Sequence, residues 1–296
     1  MILTGVSDEA GSSLDAQIRA TLELGWKHIE ARSVQVGAFP GGNLHDIPEQ
    51  AFELAREKLA AAGVEVYCFA STIANWGKKI DQPFDLSDVH RAIPRMKRLG
   101  SRYVRIMSYA VREEGDQMAA ERFRRLREIT RLFLDAGVQP LHENCMNYGG
   151  MGWRQTLEML EHVPGLKLVF DTGNPVLNID RSQPAPHPRQ DAWEFWTHVR
   201  EHVEHIHVKD AVWNFEKNEA RYTGPGEGQG RVRDILRDAF ARGYKGAIAI
   251  EPHVAVVFHD ASVKSSEAET YRSYVDYGRR LMKLIEEIRA GAAKPA

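Results

Sequence analysis

The 296-residue sequence predicts an α/β chain closed into one (β/α)8 barrel. Three observations carry this expectation. Eight short apolar runs alternate with longer amphipathic stretches, several amphipathic stretches stop on a glycine, and the long irregular segments all follow a strand. Strict alternation forces parallel strands with right-handed crossovers, and eight units in this length favour a closed barrel over an open sheet. The barrel is expected over 1–290, with 291–296 as a disordered tail.

The elements follow in order. A strand at 2–8 leads to a helix over 13–25, with Leu14, Ile18, Leu22 and Leu24 on one side and Gly25 as its stop. The second strand is 28–32. The next helix, 47–63, has Pro48 near its first turn and ends at Gly63. Strands at 64–71 and 103–109 come next, then a helix over 119–137 ending at Gly137. The fifth, sixth and seventh strands are 138–145, 167–173 and 205–212. A helix over 231–243 stops at Gly243, the eighth strand is 247–253, and the last helix covers roughly 266–290. Glycine accepts the left-handed conformation that ends a helix cheaply. The irregular segments 33–46, 76–84, 174–191 and 213–230 follow strands, so they belong to the C-terminal face, where such barrels do chemistry.

Composition narrows the function classes. With 43% hydrophobic and 27% charged residues the chain is ordinary globular protein, so no disordered or fibrous class is called for. The formal charge is −2, from 39 basic and 41 acidic residues, which gives no polybasic surplus for nucleic acid or an anionic membrane. Cys68 and Cys145 both lie in strand-like runs, which suits a reducing compartment better than a disulfide framework. No eighteen-residue apolar run occurs, and "MILTGVSDEA" lacks the basic and long apolar regions of a signal peptide. A soluble cytoplasmic protein is expected.

Strand parity then selects side chains. If Ile248 and Ile250 face the helices, Ala247, Ala249 and Glu251 face the lumen. The same rule turns Asp171, His205 and His207 inward, because Leu168, Phe170, Ile206 and Val208 share the outward parity. Val138 and Pro140 set Glu143 inward; Ile29 and Ala31 leave His28, Glu30 and Arg32 inward; the fourth strand directs Arg105 inward. Each residue alone has a plainer reading. Asp171 could cap the turn "DTGN", Glu143 could pair with Arg105, His205 could be a satisfied core histidine, and Lys209 and Asp210 could pair across strands. The joint placement favours a site, because Glu143, Asp171, His207 and Glu251 come from four consecutive strands at one level. Four ionisable groups there are expensive to bury unless paired or bound to a cation. A donor set rich in oxygen, with one nitrogen and no thiolate, suits Mn²⁺, Mg²⁺ or Co²⁺ better than structural Zn²⁺.

The motifs "LHEN" (141–144), "VFDTGN" (169–174), "HIHVKD" (205–210) and "IAIEPH" (248–253) resemble those of the xylose-isomerase-like TIM barrels, which include sugar isomerases, sugar 3-epimerases and inosose dehydratases. The resemblance covers almost the whole chain. It implies one divalent metal, Mn²⁺ first with Mg²⁺, Co²⁺ or Zn²⁺ open, held by Glu143, Asp171, His207 and Glu251. It also implies that Glu143 and Glu251 serve as base and acid. Two positions depart from many relatives. Asn174 stands where a histidine is common, and "VKD" (208–210) replaces the arginine of ketohexose 3-epimerases. The departures favour the inosose dehydratase and pentulose-phosphate epimerase branches.

The implied chemistry is proton abstraction beside a carbonyl of a sugar or keto-sugar, phosphorylated or not, through an enediolate that a metal stabilises. Its outcome is isomerisation or epimerisation; dehydration by the same site is the alternative, and a silent sugar-binding barrel a third. Lys209, Arg105, Glu30, His253 and Asn174 are candidates to bind substrate polar groups, and Trp76 and Trp213 to stack on a sugar face. Trp153, Trp193 and Trp196 sit in helical patterns and read as packing residues. "TGPGEGQG" (223–230) follows the seventh strand, where barrels often bind phosphate, yet lacks a P-loop ending; a phosphate contact and a flexible loop both remain open. The family resemblance also raises a homodimer or homotetramer.

Overall fold

The eight apolar runs become eight parallel strands in the computed structural model, which describes residues 1–255 and 265–292. They are β1 Ile2–Gly5, β2 His28–Ala31, β3 Glu65–Ala70, β4 Tyr103–Ile106, β5 Gln139–Glu143, β6 Lys167–Asp171, β7 Val203–Val208 and β10 Ala247–Ile250. A separate antiparallel hairpin joins β8 Ala211–Asn214 to β9 Glu219–Tyr222. The order around the sheet is β1, β10, β7, β6, β5, β4, β3, β2. At the seam, Val6 bridges Glu30 in parallel fashion, and Thr4 Oγ1 donates to the His28 carbonyl at 2.8 Å. The expected single-domain barrel is therefore present.

One helix or more follows each barrel strand: α1 Leu14–Glu23, α2 Glu49–Ala62, α3 Ser87–Leu99, α4 Ala119–Asp135, α5 Trp153–His162, α6 Asn174–Leu177, α7 Ala192–Val199, α8 Val232–Ala241 and α9 Glu267–Ala292. Local chemistry fixes their ends. Ser13 accepts from the Ala16 amide to start α1, and Gly63 closes α2 at φ 64°, a left-handed conformation.

The outward strand residues make the core. Leu168, Phe170, Ile206, Val208, Ile248 and Ile250 pack with Phe195, Trp196, Leu236 and Leu281 from α7, α8 and α9. Ile29, Val66, Phe69, Val104 and Ile106 pack with Phe52, Met96, Leu126 and Phe133 on the other side. Each such side chain, fully buried, contributes about 1.5–3 kcal/mol. Trp196 is buried and its indole N–H donates to Asp238 Oδ2 at 2.8 Å, while Trp153 stacks on His198 with ring centroids 3.7 Å apart. Cys68 and Cys145 are free thiols, and no described helix is long and apolar enough to cross a membrane.

Four expectations need correction. The seventh strand does not run through 205–212; it stops at Val208, and Ala211 begins a hairpin arm outside the barrel sheet. The reason is Asp210, whose carboxylate turns to collect backbone amides of the following loop. For the same reason 213–230 is not wholly irregular, since it carries the rest of that hairpin. The segment 174–191 opens with the short helix α6. The first strand ends at Gly5, and Ser7–Ala10 form a 3-10 turn. As for the tail, α9 takes in 291 and 292, and 293–296 lie outside the described residues.

Candidate metal centre and active site

Register decides which side chains meet. Asp171 is paired with His207, so β6 and β7 deliver their functional residues side by side, and His207 is paired with Ala249, two residues before Glu251. Glu143 and Glu251 end or follow their strands on either side. One ligand atom from each of Glu143, Asp171, His207 and Glu251 lies within 4.8 Å of the others. All four residues are buried.

The two glutamates are arranged alike. Glu143 Oε2 accepts from Arg105 Nη1 at 3.0 Å, and its Oε1 lies 3.8 Å from His207 Nδ1. Glu251 Oε1 accepts from Arg32 Nη1 at 2.7 Å, and its Oε2 lies 3.7 Å from the same nitrogen. Each carboxylate is thus tied to an arginine by one oxygen and presents the other to the centre. Asn174 Nδ2 donates to Glu143 Oε1 at 3.1 Å. Asp171 Oδ1 accepts the amides of Gly173 and Asn174 at 2.8 and 2.7 Å, which fixes the carboxylate as α6 begins.

The donor set fits a divalent cation. His207 Nδ1 is buried with no hydrogen-bond partner, and Asp171 Oδ2 makes no hydrogen bond of acceptable geometry. The nearest cation to Asp171 Oδ2 is Lys209 Nζ, at 3.0 Å, which also donates to Glu251 Oε2 at 3.1 Å. Three oxygens and an imidazole nitrogen at this spacing match the preference of Mn²⁺ or Mg²⁺ for hard donors.

The charges are strongly coupled. Burial pushes Asp171 up to about 7, with Glu251 and Glu143 adding to the rise and Lys209 opposing it. Burial also acts to raise Glu251, but Lys209, His207, His253 and Arg32 outweigh it and hold the group well below the usual carboxylate range. Burial acts to lower His207, yet Glu30, Glu251 and Glu143 carry it well above the usual imidazole value.

Above the centre is a cavity of about 240 Å³ lined by Arg32, Arg105, Asn174, Lys209, His253 and Trp76, among others. Five residues expected to bind substrate, Arg105, Asn174, Lys209, His253 and Trp76, therefore face it. Two do not. Glu30 is fully buried beneath the centre, where it accepts from both His205 and His207. Trp213 lies on the hairpin, with the Arg189 guanidinium 3.3 Å from its ring centroid, and is not part of the cavity lining.

Sequence parity turned Arg32 inward without assigning it a task. It joins Asp8 Oδ2 at 3.0 Å and Glu9 Oε1 at 3.3 Å to Glu251, across the barrel seam. Glu9 in turn accepts from His253 backbone N at 2.7 Å, and its other oxygen lies 2.7 Å from His253 Nδ1. The acidic pair in "SDEA" was the available signal.

The glycine-rich segment 223–230 is organised around Asp210. Asp210 Oδ2 accepts the amides of Gly226 and Gly228 at 2.9 Å each, and Oδ1 accepts that of Gly230 at 2.8 Å. The amides that would cradle a phosphate are spent on a carboxylate of the chain itself. A Cβ at Gly228 would meet Asp210 and, at 2.6 Å, the Ala211 carbonyl, which explains the glycine.

Residues 18–287 match the family model described as "Xylose isomerase-like TIM barrel". The chain belongs to that family. No curated protein sequence gives a significant match. Among solved structures, a D-tagatose 3-epimerase-like protein superimposes with a TM-score of 0.69 at 17% identity, covering 99% of this chain and 100% of its own. A xylose isomerase-like TIM barrel protein from Mycobacterium smegmatis, in complex with magnesium, gives 0.67 at 16% identity, covering 96% and 97%. The probable 3-DHS dehydratase AsbF from Bacillus anthracis gives 0.65 at 15% identity, covering 95% and 99%. At these identities the likeness establishes the fold; within it stand both epimerase-like and dehydratase proteins.

Proposed function

We propose that the protein is a divalent-metal-dependent isomerase or epimerase of a sugar or keto-sugar. The observation that carries this reading is the pairing of Glu143 and Glu251. Each has one oxygen anchored to an arginine and the other aimed at the His207–Asp171 centre. Two carboxylates so placed on β5 and after β10 can address two positions of one small substrate.

Glu143, Asp171, His207 and Glu251 would hold the metal. When bound, the metal would supply Lewis acidity to a substrate carbonyl and adjacent hydroxyl and lower the cost of the enediolate. The residues do the rest. One glutamate takes the proton from the carbon beside the carbonyl, and the other returns a proton to the opposite face or to the neighbouring carbon. Arg105 and Arg32 keep the two carboxylates oriented. Lys209 and His253 offer contacts to substrate oxygens, Asn174 holds the inner oxygen of Glu143, and Trp76 provides an apolar wall.

The test is solvent deuterium wash-in. The protein, loaded with Mn²⁺, is incubated in D₂O with a panel of free and phosphorylated keto-sugars. Deuterium at the carbon beside the carbonyl, in recovered substrate and in an isomer or epimer, supports the reading. An unsaturated ketone without exchange into substrate would assign the site to dehydration. Absence of both across the panel, with metal bound, would favour a silent barrel.

A further inference from the structure

We infer that Glu30 and His205 are positioning residues for His207, fixing its ring so that Nδ1 presents a lone pair to the metal centre. This inference rests on the proposed metal centre.

Glu30 Oε2 lies 2.9 Å from His207 Nε2 and 2.7 Å from His205 Nε2. His205 Nδ1 lies 3.1 Å from the Ala247 carbonyl oxygen, so both its ring nitrogens face acceptors. The two imidazoles are nearly perpendicular, at 88°, with centroids 4.9 Å apart. Glu30, His205 and His207 are each 0% exposed. The lumen at this depth is ordinarily filled by branched apolar side chains. A buried charge with its partners is often no more stable than an apolar replacement, so the fold alone gives no reason to keep one here.

What the carboxylate does is select a tautomer. A neutral imidazole carries one N–H and one lone pair, and which nitrogen holds the proton is set by its neighbours. Glu30 accepts only at Nε2, so the proton belongs there. Nδ1, which has no hydrogen-bond partner, is left facing Glu143 Oε1 and Glu251 Oε2 at 3.8 and 3.7 Å. Those separations are too long for hydrogen bonds and leave room for a cation between. His205 contributes by sharing Oε2, which stops the Glu30 carboxylate from rotating away.

The experiment is Mn²⁺ binding by calorimetry on the full chain, comparing wild type, Glu30→Gln and His207→Ala. Removing such a supporting carboxylate commonly costs about 10- to 100-fold in metal affinity, and that loss is expected for Glu30→Gln with an unchanged circular dichroism spectrum. Wild-type affinity in a folded Glu30→Gln variant overturns the inference. Absence of Mn²⁺ binding by wild type itself overturns the underlying metal reading instead. A second measurement needs no variant. Nitrogen-15 spectra of the wild-type histidine rings, titrated with diamagnetic Zn²⁺, should show His207 ligating through Nδ1 with Nε2 still protonated. Ligation through Nε2 would refute the assignment even if Glu30→Gln does not fold.

Discussion

The Lys209 ammonium stands 3.0 Å from Asp171 Oδ2 and 3.1 Å from Glu251 Oε2, among the atoms that would hold a metal. Both carboxylates and the lysine are almost fully buried. Lys209 therefore balances charge on these two carboxylates. Replacing it by Met leaves the acidic cluster uncompensated, and breaking a buried pair costs about 3–5 kcal/mol. Lys209→Met should melt earlier than wild type without metal and gain more from added Mn²⁺, as thermal melts with and without the ion will show. Equal metal-induced shifts in the two proteins would remove this role.

Metal binding should expel protons in a pH-dependent number. Asp171, raised to about 7, is mostly protonated below that pH, while Glu30, Glu251 and Glu143 hold His207 well above its usual value. Binding requires an ionised Asp171 and a free Nδ1 on His207. More protons should leave per ion below pH 7 than above it, because Asp171 ionises near 7. Affinity should accordingly climb steeply up to pH 7 and less steeply beyond. Calorimetry in buffers of different ionisation enthalpy counts these protons; a constant number from pH 5.5 to 8 would disagree.

Glu143→Gln and Glu251→Gln should each lower deuterium exchange by about 10²- to 10⁴-fold, the usual contribution of a positioned acid or base. Glutamine keeps an oxygen for the arginine, so both variants should remain folded. Retained turnover in both would sink the assigned roles. Measuring exchange at saturating Mn²⁺ separates lost chemistry from lost metal.

Asp210 should matter for stability rather than chemistry. Its carboxylate accepts the Gly226, Gly228 and Gly230 amides, and hydrogen bonds to a charged group contribute about 1.5–3 kcal/mol each, although not additively. Asp210→Asn should destabilise by roughly 2–4 kcal/mol on that scale and expose 223–230 to limited proteolysis. Gly228→Ala should mimic it, because the added methyl meets both Asp210 and the Ala211 backbone. Denaturant melts and a proteolysis time course measure both; wild-type behaviour of both variants would contradict the clasp.

The alternation of strands and helices was readable in the sequence because each apolar run needs cover on both faces. The convergence of Glu143, Asp171, His207 and Glu251 was readable for a related reason: period two sends each inward. Depth was not. Glu30 has the right parity and lies against His207 Nε2 on the far side from the carboxylate cluster, but no one-strand pattern encodes height in a lumen. Arg32 reaches Glu251 only because the seam closes across 219 residues of sequence. Asp210 looked like a strand end, and the glycine loop could be read as a flexible loop or a phosphate contact; each is explained by the other, through contacts made after folding.

The most direct test of the account is the metal content of purified wild type and His207→Ala, measured together by elemental analysis after incubation with Mn²⁺ and removal of free ion. The account predicts about one ion per chain in wild type and loss of that ion in the variant, as expected when one of four ligands is removed. No bound ion in wild type, or an equal content in His207→Ala, would contradict a centre built on Glu143, Asp171, His207 and Glu251.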